Sequence, residues 1–425
     1  MTGFSAPSRR QVLAGMACLA ATPPALASGP KAPFRRGVSI HNLMNWGAVE
    51  DKEKGVYRWP PFGSVHHQIQ PQLYAAIPAA GFDFVRLTLD PGVFMQLSGP
   101  RRDELDQQLV ANIRTLQALK LGVVVDFHPN SQVAAYAPEK ITERADTPLF
   151  RDYTEMLERT ARLLNGFRGT RIALELMNEP QWGWDGPTAA RWADMQKGWH
   201  DRVRRIAPAL TLVLTGARGG NADGLRLIDA RPFAGSDVLW SFHYYEPYEL
   251  THQGVAFSDP KSRSWKYFSD IPYPGAPEHF DDAFPIIAAN IAADKTLTAE
   301  MRKTLTDEAR AGLTRYLAAN PGRRTVARHF TEVADWAKAN GVAGSRIFLG
   351  EFGVTRTYGP YKASPPQPLG NWLSDVRLEA EARGFGWAFW ALSGYGGMSL
   401  IETDESVRFD APTIAALGLN GAGRS

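Results

Sequence analysis

Eight short segments rich in apolar and β-branched residues alternate along this chain with longer stretches of helical periodicity. The predicted strands are residues 37–41, 84–90, 122–128, 172–178, 210–215, 238–245, 347–352 and 386–392; helical patterns between them include 70–80, 103–120, 150–167, 188–206, 325–340 and 371–382. Strands that alternate with helices form parallel βα units, and eight such units predict a closed (β/α)8, or TIM, barrel. A doubly wound open sheet is disfavoured, because no G-x-G-x-x-G motif follows the first strand.

Two of the predicted loops are longer than a minimal barrel needs. Residues 42–69 follow the first strand, and residues 246 to about 324 follow the sixth; the second insertion begins aromatic and Pro-rich, then becomes helical at 283–293 and 299–318. Insertions of this size at the upper face of a barrel shape a site or cover it. A decoration remote from any chemistry is the alternative interpretation. We see no linker and no fixed-period repeat, so we expect one domain over residues 28–425.

The first 27 residues have the pattern of an export signal. Arg9 and Arg10 precede an apolar stretch at 14–21 and the small-residue sequence Ala25-Leu26-Ala27. This predicts a twin-arginine signal peptide, cleaved near Ala27, and a periplasmic or secreted destination. The only cysteine, Cys18, lies inside that segment. The mature chain is therefore expected to have no disulfide and no cysteine metal site.

Composition excludes several classes of function. The chain of 425 residues is 44% hydrophobic and 21% charged, close to globular averages, and its formal net charge is only +3 without a basic stripe. Nucleic-acid binding therefore has little support. Beyond the signal no apolar run is long enough to cross a bilayer, so we expect no stable membrane association. We also expect a monomer. The 12 Trp, 13 Tyr and 21 Phe residues suit a protein that binds flat, weakly charged ligands such as sugars.

Polar side chains stand at the ends of most predicted strands, where a barrel carries its reactive groups. They are Arg86 on the second strand, His128 on the third, Asn178 and Glu179 on the fourth, His243 and Tyr245 on the sixth, and Glu351 on the seventh. Because the fourth and seventh strands lie across the barrel mouth, Glu179 and Glu351 are expected to face each other. Two opposed carboxylates suit cleavage of a glycosidic bond, where one donates a proton and the other stabilises or traps the sugar cation. Arg86 is a plausible charge partner that would keep one of them ionised.

These motifs resemble glycoside hydrolase family 5 over about residues 35–410, most specifically Asn178-Glu179-Pro180 and Glu351 within Leu349-Gly350-Glu351-Phe352-Gly353. The resemblance implies that Glu179 is the acid/base and Glu351 the nucleophile, supported by Arg86, His128, Asn178, His243 and Tyr245, with Trp390 stacking on the sugar. The segment Thr251-His252-Gln253-Gly254 is similar to the bacterial cellulase-like branch, although the long insertion after it departs from compact endoglucanases.

The implied reaction is a retaining double displacement, with the two carboxyl groups about 5–5.5 Å apart. It needs no cofactor, and we expect no metal, because the clustered His and Asp ligands of metal-dependent barrels are missing. Trp182 and His252, and the loop residues Trp46, Trp59, Trp184 and Trp265, are further candidates for contact with sugar. Glu175, inside the fourth strand, is interpreted as structural.

The sequence leaves the sugar open. β-1,4-Glucan is the first expectation for a β-linked polysaccharide or oligosaccharide substrate, since the segment after the sixth strand looks cellulase-like. β-Mannan, β-1,3-glucan and the exopolysaccharide of the producing bacterium remain alternative substrates. The sequence also leaves open whether cleavage occurs within the polysaccharide chain or at its end. A transglycosylase would use the same intermediate. A non-catalytic polysaccharide-binding barrel is disfavoured, because a binder needs only the tryptophans and not both glutamates.

Overall fold

Eight parallel strands close into a barrel, which confirms the predicted TIM architecture. The computed structural model describes residues 34–420 apart from 168, 258, 260, 359–360, 363, 394–396 and 404–405, so the predicted export signal lies outside the described residues. The strands are β1 (Arg36–Met44), β2 (Phe84–Leu89), β3 (Gly122–Phe127), β4 (Ile172–Glu175), β5 (Thr211–Thr215), β6 (Val238–His243), β7 (Ile347–Glu351) and β8 (Gly386–Phe389). Each strand pairs with its neighbours in chain order, and β1 closes the barrel by pairing with both β2 and β8.

Helices surround the barrel between the strands. In the described part of the chain they are α1 (Pro71–Ala80), α2 (Pro91–Gln96), α3 (Gly99–Ala118), α4 (Pro138–Ile141), α5 (Pro148–Asn165), α6 (Gly186–Ile206), α7 (Ala222–Leu225), α8 (Tyr248–Thr251), α9 (Phe280–Ala293), α10 (Ala299–Ala318), α11 (Arg323–Ala339), α12 (Pro366–Ala382) and α13 (Ala411–Ala416). No helix among these residues is both long and apolar enough to cross a membrane.

The pleat of the strands builds the interior in layers. A floor of inward side chains, all buried, comes from residues on seven strands and the segment before β1: Phe34, Phe84, Val124, Ala173, Val213, Leu239, Phe348 and Ala388. Since side chains alternate between the two faces of a strand, the next inward position is two residues further on. That position holds Arg86, Asp126, Glu175, Thr215 and Ser241 on β2 to β6, all with at most 1% exposure. A polar layer thus lies directly above the apolar floor, toward the carboxyl ends of the strands.

Three predicted strands end at least two residues sooner than the sequence indicated. The β4 strand stops at Glu175, β6 stops at His243, and β8 stops at Phe389. As a result Asn178, Glu179, Tyr245 and Trp390 belong to the loops that leave these strands and not to the strands themselves. Their positions therefore depend on loop contacts, which the hydrophobic pattern of a strand does not report.

The insertion after β6 folds as a helical unit against an aromatic segment. Helices α9 and α10 pack on each other and on the short 3₁₀ turn Arg263–Tyr267. Ion pairs join that turn to the two helices, Lys266 with Asp294 at 3.0 Å and Arg263 with Glu308. The insertion after β1 contains a small hairpin of Val49–Asp51 with Val56–Tyr57. Both long loops are thus ordered parts of the upper face.

Candidate active site

A single arginine organises the base of the site. Arg86 is fully buried, and its guanidinium donates from Nε and Nη2 to the two oxygens of Glu175 at 2.7 and 2.9 Å. It also donates from Nη1 to Glu351 Oε1 at 2.7 Å and from Nη2 to Asn178 Oδ1 at 2.7 Å, and Asp126 lies 3.0 Å from Nη2. Only a guanidinium offers enough donors in a fixed plane for this set of partners. Arg86 therefore links four strands or strand ends at the barrel mouth.

The carboxyl group of Glu351 is enclosed and hydrogen-bonded on both oxygens. Its side chain is 5% exposed at the end of β7. Arg86 binds Oε1, and the Tyr245 hydroxyl donates to Oε2 at 2.9 Å. Burial raises the pKa of Glu351 to about 7, while the positive charge of Arg86 opposes that rise. Both donors favour the ionised form and so counter the effect of burial, and they fix the position of this carboxyl group.

Glu179 has a different setting. It follows β4 with a positive φ of 42°, and its side chain retains 36% exposure toward the mouth. The hydrogen bond that the structure gives its carboxyl group is with His243 Nδ1, at 2.9 Å from Oε1. Desolvation at the mouth raises the pKa of Glu179 to about 7; Arg86 opposes the rise and the negative charge of Glu175 adds to it. A carboxyl group in this setting can hold a proton near neutral pH and release it to a substrate.

The two glutamates confront each other as the sequence predicted. Glu179, His243 and Glu351 each present one oxygen or nitrogen atom, and these three atoms lie within 4.8 Å of one another. A pair of carboxyl groups this close corresponds to the short separation of retaining glycosidases, about 5–5.5 Å, and not to the roughly 6.5–9.5 Å of inverting ones.

Among the His, Cys, Asp and Glu residues that the structure describes, the trio of Glu179, His243 and Glu351 is close enough together to bind one cation. Both oxygens of Glu351, however, already accept hydrogen bonds from Arg86 and Tyr245. The trio is better suited to proton transfer than to metal coordination, because an additional cation beside Arg86 would compete with those donors.

Two buried histidines complete the polar layer in their neutral forms. His128 Nδ1 lies 2.9 Å from Asp126, and its Nε2 lies 3.3 Å from the amide nitrogen of Asn178. Burial lowers the pKa of His128 well below its ordinary value, and Arg86 lowers it further. Burial also lowers the pKa of His243. The two rings therefore orient their neighbours at neutral pH without adding charge to the site.

Trp390 directly follows β8, whereas the sequence predicted it within that strand. Its ring stacks on His128 with centroids 5.1 Å apart and 12° between planes. His41, inside β1, contacts the same ring at 4.5 Å. His41 Nε2 accepts a hydrogen bond from the Trp46 indole at 2.6 Å, and its Nδ1 lies 3.0 Å from Thr88. The tryptophan thus packs against two imidazoles that also contact each other, with centroids 4.9 Å apart, and His41 links it to the loop after β1.

Trp182 and His252, two of the further candidates for contact with sugar, occupy different surroundings. The Trp182 indole donates to Thr142 at 2.5 Å, and the guanidinium of Arg191 lies over its ring at 4.6 Å. His252 is packed by Tyr245 at 5.1 Å and Tyr248 at 5.2 Å. His252 therefore adjoins the nucleophile's hydrogen-bond partner, whereas Trp182 is engaged by helices α4 and α6.

Sequence reasoning did not assign three participants to the site: Glu175, Asp126 and His41. It interpreted Glu175 as structural, and the structure makes this residue the bidentate partner of Arg86. The available signal was the period of two along β2, β3 and β4, which brings residues 86, 126 and 175 into one layer. His41 is the last residue of the predicted first strand and carried no such signal by itself.

Comparison with known proteins establishes the family of this chain. The model of the cellulase family, glycosyl hydrolase family 5, matches residues 49–396. The chain therefore belongs to glycosyl hydrolase family 5.

Individual relatives are distant. Endoglucanase 3 of Fibrobacter succinogenes is 21% identical over 237 residues, 56% of this chain and 31% of that protein. The match to cellulose synthase subunit Z of Clostridioides difficile has a TM-score of 0.61 at 20% identity, over 90% of this chain and 99% of that one. Thermotoga maritima Cel5A in complex with cellobiose gives 0.62 at 19%, over 91% and 98%. The chain thus matches less than two thirds of the length of that curated relative, and the structural matches establish the fold alone.

Proposed function

We propose that this protein is a retaining β-glycoside hydrolase, and that β-1,4-glucan is its favoured substrate. The observation that carries the proposal is the close pair of carboxyl groups in unequal surroundings. Glu351 is enclosed by Arg86 and Tyr245, and Glu179 lies on the open side against His243. A pair of this kind divides the work of glycosidic cleavage into nucleophile and acid/base.

In the first step Glu351 attacks the anomeric carbon, and the bond to the leaving sugar breaks as Glu179 gives its proton to the leaving oxygen. A glycosyl-enzyme ester forms. In the second step Glu179, now ionised, takes a proton from water, and the water oxygen displaces Glu351 from the sugar. The sugar is released with its original β configuration, and both glutamates return to their starting protonation states.

The neighbouring groups have distinct proposed roles. Arg86 and Tyr245 stabilise the ionised form of Glu351 that attacks the sugar. Asn178 is oriented by Arg86 and His128 to bind the 2-hydroxyl of the reacting sugar. The Trp390 ring supplies a flat apolar surface for that sugar. We place His252 on the leaving-group side, because it packs beside Tyr245 and Tyr248 at the start of the long insertion.

The proposal extends to location and substrate range. Arg9 and Arg10 ahead of an apolar stretch support export by the twin-arginine route, which would bring the folded barrel to polysaccharide outside the cytoplasm. β-1,4-Glucan is favoured because the matched family is the cellulase family. β-Mannan, β-1,3-glucan and bacterial exopolysaccharide are the alternatives that a substrate panel separates.

The experiment is digestion of these polysaccharides and their oligosaccharides by the mature chain, with products sized and their anomeric form followed by NMR from the first minutes. We expect β-1,4-glucan to be cleaved with β anomers formed first. The Glu351→Gln variant, nearly unchanged in size, controls for contaminating activity. Initial α anomers would overturn the retaining mechanism. Absence of turnover on every substrate, with binding retained, would instead identify a polysaccharide-binding barrel.

A further inference from the structure

The backbone at Glu179 is strained in a way that needs an external support. Glu179 adopts a φ of 42°, in the left-handed region that residues with a Cβ avoid. Such a conformation persists only where the surrounding structure fixes it. The residues that fix it here should therefore control the direction of the Glu179 carboxyl group.

The support comes from the loop after β5. The amide nitrogen of Gly219 donates to the carbonyl of Pro180 at 2.8 Å, and that of Arg218 donates to the carbonyl of Trp182 at 2.6 Å. The Arg218 side chain adds a third bond, from Nε to the carbonyl of Gly183 at 2.7 Å. Three carbonyls in the four residues after Glu179 are thus held by two consecutive residues of another loop.

This supporting loop is itself tightly shaped. Arg218, Gly219 and Gly220 have φ angles of 54°, 65° and 75°, so three consecutive residues are left-handed. Glycine adopts this region without cost, whereas arginine does not. Arg218 is anchored at its far end by an ion pair with Asp223. A lysine at this position would have one nitrogen in place of the separate Nε and Nη1 donors, so it could not reproduce the geometry with which Arg218 binds Gly183 and Asp223.

The same loop also contacts the imidazole that binds Glu179. Gly220 faces the ring of His243, because a Cβ built on Gly220 would lie 3.6 Å from that ring. Asn221, the next residue, pairs with His243 as an isolated β-bridge. One four-residue segment therefore contacts both the backbone beyond Glu179 and the backbone of the histidine that holds its carboxyl group.

We infer that Arg218 is a positioning residue for Glu179: with Gly219 and Gly220 it clamps the turn that aims this carboxyl group at the leaving oxygen. Glu351 depends less on the clamp, because Arg86 and Tyr245 donate hydrogen bonds to its two oxygens. The inference rests on the proposed function, in which Glu179 is the proton donor. It predicts selective damage to the step that needs that proton.

The kinetic test compares Arg218→Lys with the wild-type chain on aryl β-glycosides whose leaving groups differ in acidity, using the sugar that the substrate panel identifies. Poor leaving groups need a proton from Glu179 to depart, so we expect their kcat/KM to fall about 10- to 100-fold. Dinitrophenolate departs without protonation, so kcat/KM for its glycoside should fall less than about threefold. Gln181→Met, which removes the hydrogen bond from Gln181 Nε2 to the Glu179 carbonyl, should act in the same direction if Arg218→Lys fails to fold. Equal losses on all leaving groups would overturn the inference.

Arg231→Lys is the matched control, because Arg231 makes an equally bidentate pair with Asp229 on the exposed surface away from this loop. It should leave the dependence on leaving group unchanged.

A second measurement needs no turnover and so separates the clamp from the proposed function. In a Glu351→Gln background, the titration of Glu179 is followed by carbon NMR of labelled glutamate. Arg218→Lys should move the pKa of Glu179 toward its ordinary value, since a released turn admits water, and Arg231→Lys should not. An unchanged titration in Arg218→Lys would overturn the clamp even in an inactive protein.

Discussion

The two glutamates of the site are fixed by contrasting means. Glu351 ends a strand, is almost fully enclosed, and receives hydrogen bonds from Arg86 and Tyr245. Glu179 lies in a loop with strained backbone, is partly exposed, and meets one imidazole. The interior of the barrel thus holds its carboxyl group with two donors that favour the ionised form, whereas the rim presents a carboxyl group that is open to the mouth. The same side chain in two different surroundings is what the proposed division into nucleophile and acid/base requires.

The largest expected effect tests the enclosed side. Arg86→Met would leave Glu175, Asp126 and Glu351 buried without their common cation. We expect the free energy of unfolding at pH 7 to fall by about 3–5 kcal/mol, as for other broken buried pairs. The deficit should shrink toward pH 5, because protonation removes the unpaired charges. Urea unfolding at both pH values measures it.

The control for that experiment is Arg231→Met, which removes an exposed ion pair with Asp229 and should cost at most about 1 kcal/mol. Similar small losses for the two variants would show that Arg86 does not organise the polar layer.

A smaller effect tests the hydroxyl on Glu351. Tyr245→Phe removes a donor to the ionised carboxylate, so the pKa of Glu351 should rise and the acidic limb of the pH–rate profile should move to higher pH. We expect kcat/KM to fall about 10- to 100-fold, in line with the ~1.5–3 kcal/mol of a hydrogen bond to a charged group. Tyr244→Phe removes a hydroxyl bound to His329, outside the trio, and should leave the profile in place. An acidic limb that does not shift in Tyr245→Phe would show that the Tyr245 hydroxyl does not stabilise the ionised form of Glu351.

The smallest effect concerns stability on the exposed side. Because the pKa of Glu179 is raised to about 7, the folded state binds this proton more tightly than the unfolded state. Its stabilising contribution is complete below the ordinary pKa near 4.5 and is lost as pH rises through about 7. The side chain in Glu179→Gln is neutral at every pH, so the Tm of this variant should match that of the wild type near pH 4.5. At pH 8 its Tm should be higher by at most a few degrees, because the side chain of Glu179 is partly exposed. The exposed Glu104→Gln controls for the loss of one charge; a gain independent of pH would refute the assignment.

The sequence predicted the residues of this site better than the contacts between them. Barrel topology places residues at strand ends on one face, so Arg86, His128 and Glu351 could be assigned from their order along eight strands. The bidentate Arg86–Glu175 contact joins residues 89 apart, and such a pairing depends on the registers of three strands. The Arg218 clamp was also invisible, since it consists of backbone hydrogen bonds and φ angles, which no side-chain pattern records.

The most direct test of the division of labour uses azide as an external nucleophile with two alanine variants and a dinitrophenyl β-glycoside of the preferred sugar. In Glu179→Ala the glycosyl-enzyme still forms on Glu351, and azide should displace it to give the β-glycosyl azide. In Glu351→Ala azide should enter the space left by the carboxylate and give the α-glycosyl azide directly. Opposite anomers from the two variants are the predicted result; the same anomer from both, or an unimpaired Glu351→Ala variant without azide, would contradict the account.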